Sequence, residues 1–376
     1  MKVDFYKHNL NKADQDEAMK VLSSIFLTTW SLVADFERKL ASFTSNSYAV
    51  WIKSCTAWLF LALKYYNIGE WDEVITTPLS FVATANSIEH TWATPVFVDV
   101  ESKTWNIDVS KIEEKITSKT KAIIPVHLYG QMVDMKALRT LADLYNIKII
   151  EDCAHCIEGE RDWIKPWNLW DIACFSFYAT KNITSWEWWA ITTNDEEVYK
   201  WMKKARSHGL SSNAADRYTK YYTHYDMEFL WYKENMTNID ASLLIHQIDR
   251  INDFLIKKEY IAWEYDQVFQ KLNGIKIPQV VRWTKHARHL YTIQVDSEKR
   301  DIYLSAIQEK WVWIAVNFRP IHLMSYYKRK YKYTPWDFPV AEEIWASTIS
   351  IPLYPKLTKS EIEYIINTII HILKDI

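Results

Sequence analysis

Between residues 72 and 150, short apolar runs alternate with longer stretches in which apolar positions recur every three or four residues. A short unbroken apolar run fits a strand buried on both faces, and the wider spacing fits a helix with one apolar side. Strands are therefore expected at 74–77, 95–100, 122–127 and 147–150, with helices at 80–90, 109–116 and 135–145 between them. Upstream, 13–45 reads as helical, 48–50 as a short strand and 59–66 as an apolar helix. Downstream, 173–177 and 191–193 read as strands and 196–206 as a helix. Such alternation predicts an α/β fold whose mostly parallel central sheet carries helices on both faces.

The alternation stops at residue 206. Residues 207–232 are polar and aromatic without period, which predicts a functional surface loop at a substrate mouth or subunit contact. Residues 240–269 read as one long helical bridge. Beyond it, strands at 290–295 and 314–318 and a helix at 360–373 form a smaller α+β pattern. The expected division is a large domain at 1–249 and a small C-terminal domain at 250–376. A chain of 376 residues that is 49% apolar can fill two such cores.

A formal net charge of −2 gives no reason to expect nucleic acid or an anionic membrane as partner. No window approaches eighteen uninterrupted apolar residues, and Met1-Lys2-Val3-Asp4 lacks the features of a signal peptide, so a cytoplasmic protein is expected. The four cysteines are expected as reduced thiols. Cys153-Ala154-His155-Cys156 has metal-like spacing, but no second close pair completes a ligand set, and no metal is expected.

Twenty tryptophans against five glycines invert ordinary usage, in which glycine alone makes up about 7% of residues. Many tryptophans stand in turn contexts, as in Glu70-Trp71-Asp72-Glu73, Thr91-Trp92-Ala93-Thr94 and Ser185-Trp186-Glu187-Trp188-Trp189. Turns need positive φ or close backbone approach, which glycine supplies and an indole forbids. The expectation is that most or all of these positions are glycine in the natural protein, through a UGA codon that the source organism reads as glycine.

The candidate chemistry lies at expected strand ends. Lys181 follows the strand at 173–177, where partial loss of hydration frees its amine to attack a carbonyl. Asp152 ends the strand at 147–150, at the edge where open α/β sheets bind ligands. A covalently bonding lysine and an aspartate on a pyridinium nitrogen are a protein's two contributions to pyridoxal phosphate chemistry. Ser54-Cys55-Thr56 lies between a strand and a helix start, where free N–H groups form a phosphate cup or a hydroxyl simply caps the helix. Phe81 and His155 lie just past strand ends on the same edge, Phe81 placed to stack on a planar cofactor or to serve the core.

These segments resemble the DegT/DnrJ family of pyridoxal-phosphate sugar aminotransferases, with the type I aspartate-aminotransferase fold. The resemblance runs from Thr28-Thr29-Trp30 to Ile351-Pro352-Leu353-Tyr354-Pro355. It rests on Ser54-Cys55-Thr56-Ala57, Pro125-Val126-His127-Leu128-Tyr129-Gly130, Glu151-Asp152-Cys153-Ala154-His155, Ser176-Phe177-Tyr178-Ala179-Thr180-Lys181 and Asn235-Met236-Thr237-Asn238. Where the family has glycine, this chain repeatedly has tryptophan.

The resemblance implies that Lys181 bonds the cofactor and moves protons, that Asp152 pairs with the ring nitrogen, and that Phe81 stacks on the ring. His155 would sit beside it. Cys55, Thr56 and Ser176 would hold the phosphate, and Asn235 would reach the same phosphate from a neighbouring subunit, making the active unit a homodimer. Thr28, Tyr129, Arg319 and His322 would lie toward the substrate. The implied reaction carries an amino group from glutamate or glutamine to a nucleotide-linked keto sugar, with a UDP-4-keto sugar expected. A sugar dehydratase of the same fold is disfavoured because those relatives carry histidine where Lys181 stands. A catalytically silent binding relative gains weight only if the tryptophans are authentic.

Overall fold

The computed structural model describes residues 1–52, 55–166, 171–211 and 224–375, without the side chains of Cys55 and Thr56. Seven strands form the central sheet: β1 (Tyr48–Ile52), β2 (Glu73–Thr76), β3 (Thr94–Phe97), β4 (Thr120–Ile123), β5 (Lys148–Asp152), β7 (Ile172–Ser176) and β8 (Trp189–Thr193). Their order is β1-β8-β7-β5-β4-β2-β3, parallel from β7 to β3, with β8 antiparallel to both of its neighbours. β6 (Glu160–Arg161) pairs instead with β9 (Thr284–Lys285), which ties the sheet domain to the second unit.

Helices α1 (Lys12–Leu22), α2 (Ser31–Thr44), α3 (Cys55–Tyr65), α4 (Ala83–Glu89), α5 (Met135–Tyr145) and α6 (Glu196–Ala205) accompany the strands. Local chemistry sets their ends. Asp134 caps α5 by accepting the Ala137 N–H at 3.1 Å, and Asn146 stops it in the left-handed region. Separate apolar clusters lie on the two faces of the sheet: Leu59, Ala62 and Met202 belong to one, Phe36, Trp51 and Phe254 to the other.

Three sequence expectations change. Residues 109–116 make two 3-10 turns, Val109–Lys111 and Glu113–Lys115, in place of a helix. The stretch at 240–269 divides into α7 (Asn238–Leu244), a 3-10 turn at Ile248–Arg250 and α8 (Ile251–Phe269). The strand expected at 314–318 reduces to a single bridge, Ala315 to Ser350, because the chain then turns toward the first domain, where the Tyr129 hydroxyl donates to the Asn317 carbonyl.

The second unit pairs β10 (Tyr291–Gln294) with β11 (Thr348–Ile351) and packs α9 (Arg300–Glu309) and α12 (Lys359–Asp375) around them; α10 (Ser325–Tyr331) and α11 (Pro339–Ser347) precede β11. Its core includes Tyr265, Ile293, Ile307, Ile349 and Ile365, and also Val3. Val3 exchanges backbone bonds with Trp311 and Trp313 at 2.8 and 2.9 Å. Val3 thus buries its side chain in the cluster that includes Ile293 and Ile349.

Sixteen described non-glycine residues have positive φ, and eight of them are tryptophan: Trp71, Trp92, Trp105, Trp163, Trp186, Trp283, Trp311 and Trp336, with φ from 59° to 77°. All but Trp105 are exposed. Such φ values penalise any side chain with a Cβ. Trp51 and Trp58 are fully buried, and neither indole N–H has a hydrogen-bond partner among the described residues.

Candidate active site

The C-terminal ends of β2, β5 and β7 meet at one edge of the sheet. Phe81 follows β2, Asp152 ends β5, and Ser176 ends β7, five residues before Lys181. Asp152 is only 4% exposed. Its Oδ2 accepts the Thr84 hydroxyl at 2.8 Å, and its Oδ1 accepts the Ala154 N–H at 3.2 Å. Burial pushes this carboxyl above the usual carboxylate range, against the opposing pull of these two bonds and of the Lys181 charge. A desolvated carboxylate in this state gains from a cationic N–H partner.

The lysine turn is held from several sides. Lys181 N–H bonds the Tyr178 carbonyl at 2.8 Å, and Thr184 Oγ1 bonds the Phe177 carbonyl at 2.9 Å. Gln247 grips Thr184 through both backbone groups, donating at 2.7 Å and accepting at 3.2 Å. Asn182 donates to Glu158 and to the Ala287 carbonyl. The half-buried Lys181 lines one pocket with His289, and its charge favours the ionised form of Asp152 and opposes protonation of His155 and His289.

His155 stacks on His289 with ring centres 4.2 Å apart and faces Phe318 at 5.8 Å. Its Nδ1 accepts the Tyr129 N–H at 3.2 Å, so the ring proton resides on Nε2. Burial, reinforced by Lys181, holds its pKa well below the usual histidine value of 6.5, and burial does the same at His286 and His289. The unfolded chain protonates these rings near pH 6.5 while the folded chain does not. Stability is therefore full above about pH 6.5 and falls with acidification by about 1.4 kcal/mol per pH unit for each such histidine. Urea midpoints measured from about pH 7 to about pH 5.5 should drop accordingly; a flat profile would mean that the rings titrate as in water.

The remaining expected residues are placed as follows. Phe81 lies at the mouth, 58% exposed, 6.0 Å from the Phe318 ring. Cys55 begins α3, but the side chains of Cys55 and Thr56 lie outside the described residues. Ser176 is buried and accepts the Tyr178 N–H at 3.3 Å. Asn235 lies beside α7 with one buried end of its amide unpartnered among the described residues. Thr28 is exposed, and its carbonyl accepts the Asn238 N–H. Tyr129 is buried between Trp105 and His155.

Arg319 bonds the Leu323 carbonyl at 3.1 Å and lies over Trp345. His322 is fully buried on Glu342 at 3.0 Å, against Phe338 and Tyr333, none of them in the Lys181 cluster. Sequence reasoning missed Thr84, His289, Asn182 and Gln247, which reach the site from a helix, a loop and the interdomain segment and share no motif. Thr84 alone left a trace, one helical turn after Ser80, whose hydroxyl it meets at 3.0 Å.

His127, Glu151 and Cys153 place ligand-type atoms within 4.8 Å of one another. His127 Nδ1 accepts the Val133 N–H, and Nε2 lies 2.6 Å from Glu151. Both ring nitrogens are committed to protein, so the group braces β5.

The family model for the DegT/DnrJ/EryC1/StrS aminotransferases matches residues 8–370. The chain belongs to that family. It is 38% identical over 371 residues to the spore coat polysaccharide biosynthesis protein SpsC of Bacillus subtilis, covering 97% of this chain and 95% of that one. It is 32% identical over 372 residues to GDP-perosamine synthase of Escherichia coli O157:H7, covering 98% and 97%. Among solved structures, Spr1654 of Streptococcus pneumoniae in its PMP form superposes with a TM-score of 0.93 at 29% identity over the whole of both chains, and its PLP form has also been solved.

As a DegT/DnrJ/EryC1/StrS protein the chain is a sugar aminotransferase of the type I fold that uses pyridoxal phosphate. Its own residues fit that cofactor. The desolvated Asp152 carboxylate suits a ring N–H, the first turn of α3 suits a phosphate, and Lys181 can supply the amine.

Proposed function

We propose that the protein transfers an amino group from glutamate or glutamine to the keto carbon of a nucleotide-linked sugar, with a UDP-4-keto sugar as acceptor, and that it works as a homodimer. The reading is supported above all by the buried Asp152 carboxylate at the end of β5, its two oxygens fixed by Thr84 and the Ala154 N–H, with Lys181 following the neighbouring strand β7. Pyridoxal phosphate, when bound, supplies the electron sink. With the cofactor bound, Lys181 Nζ would hold it covalently until the amine of the amino donor displaces it, and the freed Nζ would then carry the proton to and from the reacting carbon. Asp152 keeps the ring nitrogen protonated, with Thr84 and the Ala154 N–H fixing its two oxygens. His155 stays neutral and presents Nε2–H, so it adds no charge to compete with that pairing. Asn235 completes the phosphate contacts from the neighbouring subunit, and Thr28, Tyr129 and Arg319 line the approach of the sugar nucleotide. His322 acts from behind, by fixing the packing of the segment that carries Arg319.

The direct test incubates the protein with glutamate, then glutamine, and a panel of UDP-, dTDP- and GDP-linked 4-keto sugars, with amino sugar detected by mass spectrometry. Product is expected with a UDP sugar; product from another nucleotide alone would overturn that assignment. Asp152→Asn keeps one acceptor oxygen for the Ala154 N–H, lets its NH2 donate to the Thr84 hydroxyl in place of the bond that hydroxyl makes now, and removes the charge. Turnover of the glutamate half-reaction should fall by about 100- to 1000-fold, and an unchanged rate would remove Asp152 from its role. Light scattering of the native protein should report twice the chain mass, and a monomer with full activity would rule out the shared site.

A further inference from the structure

A cleft of about 700 Å³ opens between the two domains, walled by Lys103 and Tyr129 on one side and by Asp266, Lys276, Arg288 and Thr292 on the other. It is larger than the space at Lys181 and lies beyond Tyr129 from it. This volume is in the range of small-molecule sites. Its wall is cationic and under-satisfied. Arg288 is half-buried, has no ion-pair partner among the described residues, and leaves its Nε buried without a hydrogen bond. Thr292, 2% exposed, has a hydroxyl without a partner. Lys103 and Lys276 also line the cleft without ion pairs among the described residues. The acid on the wall, Asp266, is engaged by the Tyr291 hydroxyl at 2.7 Å.

The backbone fixes Arg288 in place. Its φ of 49° lies in the left-handed region, its N–H bonds His286 Nδ1 at 3.0 Å, and a Cβ on Gly130 would come within 2.9 Å of its nitrogen. An arginine whose backbone is held this way, lining the same cleft as a buried unpaired hydroxyl, can offer its guanidinium fork to the oxygen edge of a phosphate. We propose that the interdomain cleft is a second ligand site for a phosphorylated small molecule, with the phosphate on Arg288 and Thr292 and with Lys103 and Lys276 at the rim. The cleft shares Tyr129 with the proposed approach of the sugar nucleotide but does not include Lys181, and Arg288 adjoins His289, which stacks on His155.

The test uses protein saturated with cofactor, titrated calorimetrically with inorganic pyrophosphate and with UDP. Both should bind, and Arg288→Gln should weaken pyrophosphate by about 10- to 100-fold. Lys276→Gln, at the exposed rim, should weaken it by about threefold. Tighter binding of UDP than of pyrophosphate, retained in part by Lys181→Ala, would identify a nucleotide; equal binding would identify the phosphate alone. A pyrophosphate isotherm unchanged in both Arg288→Gln and Lys276→Gln overturns the proposal, and Lys276→Gln decides it should Arg288→Gln fail to fold by circular dichroism.

A second inference rests on the backbone alone. Tryptophan occupies half of the described positive-φ positions held by residues other than glycine, and seven of those eight tryptophans sit on the surface, where no packing demands an indole. We infer that the natural residue at these eight positions is glycine, encoded by UGA. The coding DNA should read UGA there, and peptides from protein purified from its source should show glycine masses. UGG codons at these positions overturn the inference.

Discussion

Lys181→Ala is expected to abolish amino transfer, with turnover falling by about 10⁴-fold or more. The size follows from losing two functions at one atom. In the proposed mechanism Nζ is both the covalent partner of the cofactor and the base that shuttles the proton, and the neighbouring side chains are poorly placed to replace it. His155 has its Nδ1 occupied by the Tyr129 N–H and resists protonation, and Asp152 has both oxygens engaged. The fold should survive, because the turn around Lys181 is held by Asn182, Thr184 and Gln247. The measurement is the glutamate half-reaction followed by cofactor absorbance, together with borohydride trapping. Parental turnover, or a reducible link in the variant, would show that another amine does the work.

Glycine at Trp71, Trp92, Trp105, Trp163, Trp186, Trp283, Trp311 and Trp336 should produce the largest gain in stability. A left-handed residue with a Cβ costs about 1–2 kcal/mol, of which glycine returns about 0.5–1 kcal/mol through a more disordered unfolded chain. The net gain is about 0.5–1 kcal/mol at each site, or roughly 4–8 kcal/mol for the set, comparable with the total stability of many proteins. Glycine at Trp51 and Trp58 would also remove two buried unpaired N–H groups, but it would leave cavities, so these positions need repacking. Denaturant midpoints of the eightfold variant and the parent decide the matter. A midpoint that does not rise would mean that the backbone at these turns relaxes without cost.

The sheet was legible because period and burial agree. The apolar runs expected as strands at 74–77, 122–127, 147–150 and 173–177 became β2, β4, β5 and β7 with ends shifted by one to four residues, and α5 matches its expected span at both ends. Motif residues beside strand ends, Asp152 and Lys181, were legible for the same reason. Contacts that depend on distant segments were not. Thr84 meets Asp152 across 68 residues, and Gln247 grips Thr184 across 63, and neither pair has a local pattern. His322 read as an entrance residue because its neighbours resemble a known segment, but its burial on Glu342 is a tertiary fact. The strand expected at 314–318 failed because an apolar run cannot reveal that its partner edge offers one bridge only.

Residue 3 completes its backbone bonding only against residues 311 and 313. During synthesis the amino-terminal segment must therefore wait through most of translation before it docks, while the seven-stranded layer between can already assemble. Closing so long a loop is slow relative to local contacts. Maturation of the small domain thus comes late, and the interval before it is when a nascent chain most needs protection from aggregation.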